Sequence, residues 1–272
     1  MSKEMYLIIE NAEVFSSTSN GNLFTTGFPA LTNFLGFAEY IKFILNEDQM
    51  DLVNNCSISI VVNDMDYQKS HNKFMLYRKN DSVKEGSTNA STVDEKKVFL
   101  NLNLYLKINL DKDNYVNDSE IDTIKYIQQK INEKQFNFKI AGGKIFNSVI
   151  FLTKDNEDII KSLSKKRHSF LLEKSELDIN EMSNKEIVST LNEKTNNRKQ
   201  LFLQVGYSIL EDFKEINLSR NGAENALASP ILNFIQARKV YSYLYNDNYK
   251  DVENYFEQKI KDNKILFSTK TL

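Results

Sequence analysis

Gly142-Gly143-Lys144 has the ending of a phosphate-binding loop, where backbone N–H groups and a lysine cradle an anion. No glycine stands at the first position such a loop needs, so its anion-cradling turn does not form in register. The two histidines, His71 and His168, lie in polar segments, and no GxSxG elbow occurs. No Ser-His-Asp set can be assembled from them, and a solvated imidazole is the plainer reading of each. Cys56 stands just before a strand and reads as a small apolar filler. A single cysteine excludes a disulfide framework and any multi-cysteine zinc or iron–sulfur site, and two histidines exclude a His-rich metal site. The acidic clusters at 111–122 and 155–158 read as solvated connectors, not metal cages. These residues predict no catalytic set, no metal site and no cofactor.

Binding chemistry is better represented. The 272 residues carry 35 Lys and Arg against 37 Asp and Glu, a formal charge of −2. That excludes a protein held to nucleic acid by bulk positive charge and leaves room for a local basic groove. The chain has 33 asparagines and only five arginines: Arg78, Arg167, Arg198, Arg220 and Arg238. Lysine supplies nearly all the positive charge, so some of these arginines are expected where a planar fork must grip two acceptors at once. The run KSLSKKRH at 161–168 concentrates Lys161, Lys165, Lys166, Arg167 and His168, which fits a phosphate-binding face. The Ser/Thr/Gly segment 16–27 offers hydroxyls, among them Ser16 and Ser17, and exposed N–H groups before a helix whose dipole favours a phosphate. Ordinary turn chemistry explains the same composition. Gly142 and Gly143 either admit an RNA backbone or simply bend a strand.

The elements that would position these groups follow from periodicity. MYLIIE (5–10) reads as a first strand, followed by a polar loop from Asn11 to Gly27. Pro29 opens a helix that keeps its period through Leu45. SISIVV (57–62) is a second strand, and VFLNLNLYLKINL (98–110) alternates as a half-buried third. Ile121, Ile124, Ile127 and Ile131 mark a second helix, and 136–152 gives a strand, a Gly-Gly break and another strand. The order is β-α-β-(insertion)-β-α-β, the split βαβ pattern of a ferredoxin-like, RRM-type α+β domain. Such a sheet is a familiar platform for single-stranded RNA. The expected organisation is a core over 1–152 with a projecting hairpin at about 64–96, a helical accessory segment over 153–200, and strands and a helix over 201–272. Within these, 155–168 looks helical, Ile187, Val188 and Leu191 hint at a helix, LFLQVGY (201–207) is strand-like, and 230–245 shows no decisive period. The N-terminal apolar run is too short for a signal peptide, and no stretch reaches membrane-spanning length, so a cytoplasmic protein is expected.

The local order of residues carries a resemblance. Asn11-Ala12, Ser16-Ser17, Gly27-Phe28-Pro29-Ala30 and Phe34-Leu35-Gly36-Phe37 stand in sequence. Tyr77-Arg78-Lys79-Asn80, Gly86-Ser87-Thr88 and Val93-Asp94-Glu95 follow, then Ile140-Ala141-Gly142-Gly143. The basic run, Gly206-Tyr207, Arg220, Ala226-Leu227 and Ser229-Pro230 complete the series. This collinear set resembles the Csy-type tail subunit of the type I-F CRISPR surveillance complex. The resemblance implies a non-catalytic subunit with a ferredoxin-like core and a projecting thumb. It implies partners: the 5′ handle of the guide RNA (crRNA), the large tail subunit, an adjacent backbone subunit, and target DNA only through the assembled complex. Arg78 and Gly86-Ser87-Thr88 would lie on or near the thumb, where an inserted element can interrupt base stacking. Lys165, Lys166 and Arg167 would approach phosphates. Gly142, Gly143 and Arg220 would lie near the handle or buttress the fold. With Phe28 of the opening motif and Lys144 beside the glycine pair, this completes the candidate RNA-binding set. The spacer Ser17–Gly27 is longer than in familiar members, the region 174–200 shorter, and Thr26 replaces an expected aromatic. Such departures fit a divergent branch, one case being a transposon-associated complex with a transposition adaptor as partner. The competing readings are a guide-processing endoribonuclease, with His71 or His168 as general base, and a purely structural assembly protein.

Overall fold

The computed structural model describes residues 3–19, 27–47, 51–67, 97–177, 179, 182–192, 198–212, 214–215, 224–246, 254–261 and 264–269. Strand β1 (Lys3–Thr18) runs well past the apolar block that predicts it. Two bulges carry it onward, between Ile9 and Ala12 and between Val14 and Ser17. Asn11 and Ser16 take the left-handed backbone there, at φ 53° and 59°. Each bulge inserts an unpaired residue and lets the strand continue with its alternation reset. The loop expected from Asn11 is therefore strand as far as Thr18; residues 20–26 lie outside the described residues.

Helix α1 (Leu31–Leu45) begins two residues after Pro29, as its period predicts. Strands β2 (Val53–Tyr67) and β3 (Lys97–Leu110) follow, so the expected insertion at 64–96 starts as a continuation of β2; residues 68–96 lie outside the described residues. Helix α2 (Glu120–Lys134) is capped by the Ser119 hydroxyl, which accepts from Asp122 N. Strands β4 (Lys139–Ile140), β5 (Gly143–Ile145) and β6 (Val149–Thr153) resolve the expected strand–break–strand. Helix α3 (Asn156–Ser164) stops before the basic run, which forms the turn after it. Strand β7 (Phe170–Lys174) and helix α4 (Asn184–Asn192) come next. Strands β8 (Arg198–Ile209), β9 (Lys214–Glu215), β10 (Glu224–Asn225) and β11 (Ala228–Lys239) lead into helix α5 (Val240–Asn246). The segment without a decisive period is thus a strand joined directly to a helix. Strands β12 (Phe256–Lys261) and β13 (Lys264–Thr269) form a final hairpin.

The architecture is α+β, dominated by one large antiparallel sheet. Its order is β12-β13-β8-β11-β7-β2-β3-β1-β5-β4, with β6 also paired to β1. Strand β12 returns to β2 through Phe256 and Ile58, so six strands close a circuit. The pairings cross both expected divisions, at 152/153 and at 200/201. Among the described residues, no helix is long and apolar enough to cross a membrane.

Alternation along β3 sorts its side chains onto two faces. Leu100, Leu102, Leu104, Leu106 and Ile108 join the larger core with α1 and with Ile127 and Ile131 of α2. Each fully buried aliphatic there contributes roughly 1.5–3 kcal/mol. Tyr105 points the other way, into a second core with Tyr6, Ile8 and Val61, closed by Ile159 and Leu163 of α3 and Val240 and Tyr243 of α5. Cys56 belongs to the larger core at 1% exposure, and burial pushes its thiol up.

Glu120, the first residue of α2, is gripped by Lys154 and Lys3, which tie the helix start to the edge of the sheet. Hydrogen bonds from those two ammonium groups hold its carboxyl at about 2, below the ordinary 4.5. The contribution to stability is complete above pH 4.5 and is lost as the pH falls through about 2. Chemical denaturation of Glu120→Gln and the parent should therefore give midpoints that separate at neutral pH and converge in strong acid. A constant difference across that range would mean the clamp is not electrostatic.

Candidate nucleic-acid interface

On the second face of the sheet, α3 and α5 cover only one end. The covered end holds Tyr6 and Tyr105, both buried, so neither ring is a stacking surface. Burial pushes the Tyr105 hydroxyl up to about 12, while it bonds to Ser162 Oγ at 2.9 Å. Ser162 in turn donates to Glu10.

Beyond that hydroxyl the face becomes amide-rich. Asn103 Nδ2 donates to Tyr105 Oη at 3.3 Å. Asn103 Oδ1 accepts from Asn11 N at 3.0 Å and from Asn63 Nδ2 at 2.8 Å. Asn63 Nδ2 also reaches Asn101 Oδ1 at 2.7 Å, and Asn63 Oδ1 accepts from Ser169 Oγ at 2.9 Å. The bulge at Asn11 turns its side chain toward the basic turn, where Lys166 Nζ donates to Asn11 Oδ1 at 2.5 Å. Lys165, Arg167 and His168 are exposed beside it.

At the far end three phenylalanines meet. Phe15 of β1 packs edge-on against Phe99 of β3 at 4.9 Å and against Phe146 at 5.0 Å. Phe15 and Phe146 remain 41% and 61% exposed, and Lys144 Nζ lies 5.7 Å from the Phe146 ring centre. Phe99, Asn101 and Asn103 occupy alternate positions of one strand, so aromatic and amide groups run along a single face. Exposed Asp64 and Asp66 oppose Asn101 and Phe99 from β2 and give that edge a negative character. Glu13 is engaged by Asn147 Nδ2 at 2.6 Å. Anion-binding potential therefore concentrates at the Lys144 and Lys166–Arg167 ends.

Such a face can stack unpaired bases, read their edges with amides and hold phosphates at either end. The structure brings Lys144, Lys166 and Arg167 onto it, with Lys165 exposed beside them. Ser16 is exposed next to Phe15, whereas Ser17 is buried and its hydroxyl donates to Ile140 O at 3.2 Å. Phe28 is buried and stacks on Phe34 at 5.2 Å, so its ring belongs to the core. Gly142 sits at the open tip of the β4–β5 turn at φ 77°, and Gly143 packs against β1. Arg78, Gly86, Ser87, Thr88 and Arg220 lie outside the described residues, as does His71. Sequence reasoning missed Phe15, Phe99 and Phe146. The alternation of β3 already puts Phe99 opposite the leucines, but the bulges that align Phe15 with it have no signature in composition.

The comparisons agree with the resemblance at the level of the family. The family model described as "CRISPR-associated protein (Cas_Csy2)" matches residues 5–217. Among solved structures, a CRISPR protein from Archaeoglobus fulgidus aligns over 98% of this chain and 99% of its own, at 8% identity and a TM-score of 0.28. That likeness is too distant to bear on the fold or the site. No curated protein matches the sequence. With the family match running over most of its length, from the first strand through the basic turn to β9, this chain belongs to the CRISPR-associated Cas_Csy2 family.

Proposed function

We propose that this chain is a non-catalytic, guide-RNA-binding subunit of a cytoplasmic CRISPR effector complex, gripping the 5′ handle of the crRNA together with a large tail subunit and next to a backbone subunit. The observation that carries the reading is the half-open sheet face, where exposed aromatics, an amide cluster and two cationic ends share one surface. The connectivity supports a ferredoxin-like core: β6, β1, β3 and β2 are neighbours and antiparallel, with α1 between β1 and β2 and α2 between β3 and β6. A net charge of −2 fits a subunit whose affinity comes from a local groove and from burial shared with its partners.

Co-expression with the neighbouring genes, purification on this chain and sequencing of the retained RNA test the reading. Small RNAs with one defined 5′ handle, accompanied by a larger protein, are the expected result; a clean RNA-free monomer would defeat it. RNA affinity should fall steeply with salt. Replacing Lys165, Lys166 and Arg167 together by Gln should weaken binding and lower the log–log salt slope by about 3, one for each lost phosphate contact. An unchanged slope would leave the turn as bare surface.

A further inference from the structure

Beside the basic turn, Arg167, Tyr245 and Tyr241 form an exposed ladder. Val240 N donates to Ser169 O at 2.9 Å and Tyr241 N to Arg167 O at 3.1 Å, so α5 is tied to the turn. Val240 and Tyr243 are fully buried, which commits the other side of this short helix to solvent. That side carries Tyr241 and Tyr245, 52% and 49% exposed. Their i,i+4 spacing stacks the rings at 4.8 Å between centroids and 28° between planes. The Arg167 guanidinium lies 5.5 Å from the Tyr245 centroid, and its Nε donates to Ser164 O at 3.3 Å.

We infer that the Tyr241–Tyr245 pair is a seat for one unpaired nucleobase of single-stranded RNA, with the neighbouring phosphate on Arg167 and Lys165. The inference rests on the guide-RNA-binding reading and adds to it a base site on α5, beyond the matched residues 5–217. The ligand class follows from charge and shape together. Neither Lys165 nor Arg167 is paired with a carboxylate among the described residues, and His168 is exposed beside them. An apolar protein surface laid on the rings would strip water from those cations without replacing it. A nucleotide supplies a π face for the rings and an anion for the cations, and Arg167 strengthens the stack as a cation beside an aromatic face. Every base has such a face, so the seat selects an unpaired nucleotide by position and not by identity.

The test uses the full chain and a set of short single-stranded RNAs, each with 2-aminopurine or an abasic site at one position. Tyr241→Ala/Tyr245→Ala should weaken binding roughly 5- to 150-fold, the range for losing one aromatic stack. Tyr241→Phe/Tyr245→Phe should bind like the parent, which keeps the test decisive if the alanine pair disturbs α5. At one RNA position, 2-aminopurine emission should be quenched by the parent and the Phe pair, and restored in the Ala pair. An abasic site there should weaken the parent by that same factor and leave the Ala pair unaffected. If the Ala pair binds RNA as the parent does and no position is quenched, the base seat is wrong while the guide-binding reading stands. If the parent binds no RNA, both fall. Unchanged RNA affinity with loss of a co-purifying protein would assign the rings to a protein contact and overturn the inference.

Discussion

Replacing Arg238 with alanine is expected to destabilise the protein by about 3–5 kcal/mol, because it strands a buried carboxylate. Arg238 of β11 and Glu173 of β7 are each only 8% exposed at the side chain. Arg238 Nε and Nη2 donate to Glu173 Oε1 at 3.1 and 2.7 Å, while Gln236 Nε2 serves the other oxygen at 3.1 Å. Asn254 Nδ2 adds a bond at 2.9 Å, and the guanidinium lies 5.1 Å from the Tyr243 ring centre. Take the guanidinium away and two neutral amides remain to solvate a full negative charge in a dry interior. The melting temperature should fall by ~6–20 °C. Arg238→Met combined with Glu173→Leu removes both charges and should recover most of the loss, since such pairs are often replaceable by packed apolar groups. If the single variant melts within a degree of the parent, Glu173 is reaching water and the pair is not buried in solution.

The second large effect is expected at Gly143. A Cβ there would meet Phe15 O at 2.6 Å and Ser17 N and Oγ at 2.8 Å. Two of these are main-chain atoms of β1, next to the bulge at Ser16, and cannot swing aside. Gly143→Ala should therefore force β5 off β1 at a cost of about 1–3 kcal/mol, with Phe15 moving as it does so. RNA affinity should fall along with stability if Phe15 stacks a base. Gly142 separates the two roles. No atom lies within 4 Å of a Cβ there, and only its φ of 77° resists substitution. Gly142→Asn should fold almost as the parent does, since asparagine tolerates that backbone. Loss of RNA binding in a well-folded Gly142→Asn variant would place an RNA backbone at the turn; unchanged binding would leave the glycine pair as scaffolding. A Gly143→Ala variant as stable as the parent would show that β5 has room to slide.

What was legible in the sequence is what periodicity encodes. Leu100 to Ile108 alternate without a break, and Phe34, Leu35, Ala38, Ile41 and Leu45 hold a helical period, so β3 and α1 follow directly. The extent of β1 does not, because Asn11 and Ser16 read as loop residues and only the pairing with β3 turns them into bulges. Phe170–Lys174 is short and follows a charged run, so its place between β2 and β11 is set by partners distant in sequence. The arginines show the same limit. Their scarcity correctly marks positions where a planar fork is needed, yet Arg238 spends its fork on a carboxylate inside the protein. Composition cannot distinguish that use from one facing a phosphate. Arg167 and its tyrosines meet only because α5 is anchored to the turn after α3.

The closed circuit of six strands also constrains how the chain comes off the ribosome. Asn55 donates to Glu257 at 3.1 Å across 202 residues of sequence. Strand β2 therefore has a partner that is translated long after it, and closure demands contacts of very large sequence separation, which are slow to form. Until Phe256–Thr269 emerges, β8 lacks its β13 neighbour and presents an unpaired strand edge able to recruit another nascent chain. Truncations ahead of that hairpin should therefore aggregate during synthesis, and shortening the wait by slower, cooler expression should raise the soluble yield of the full chain.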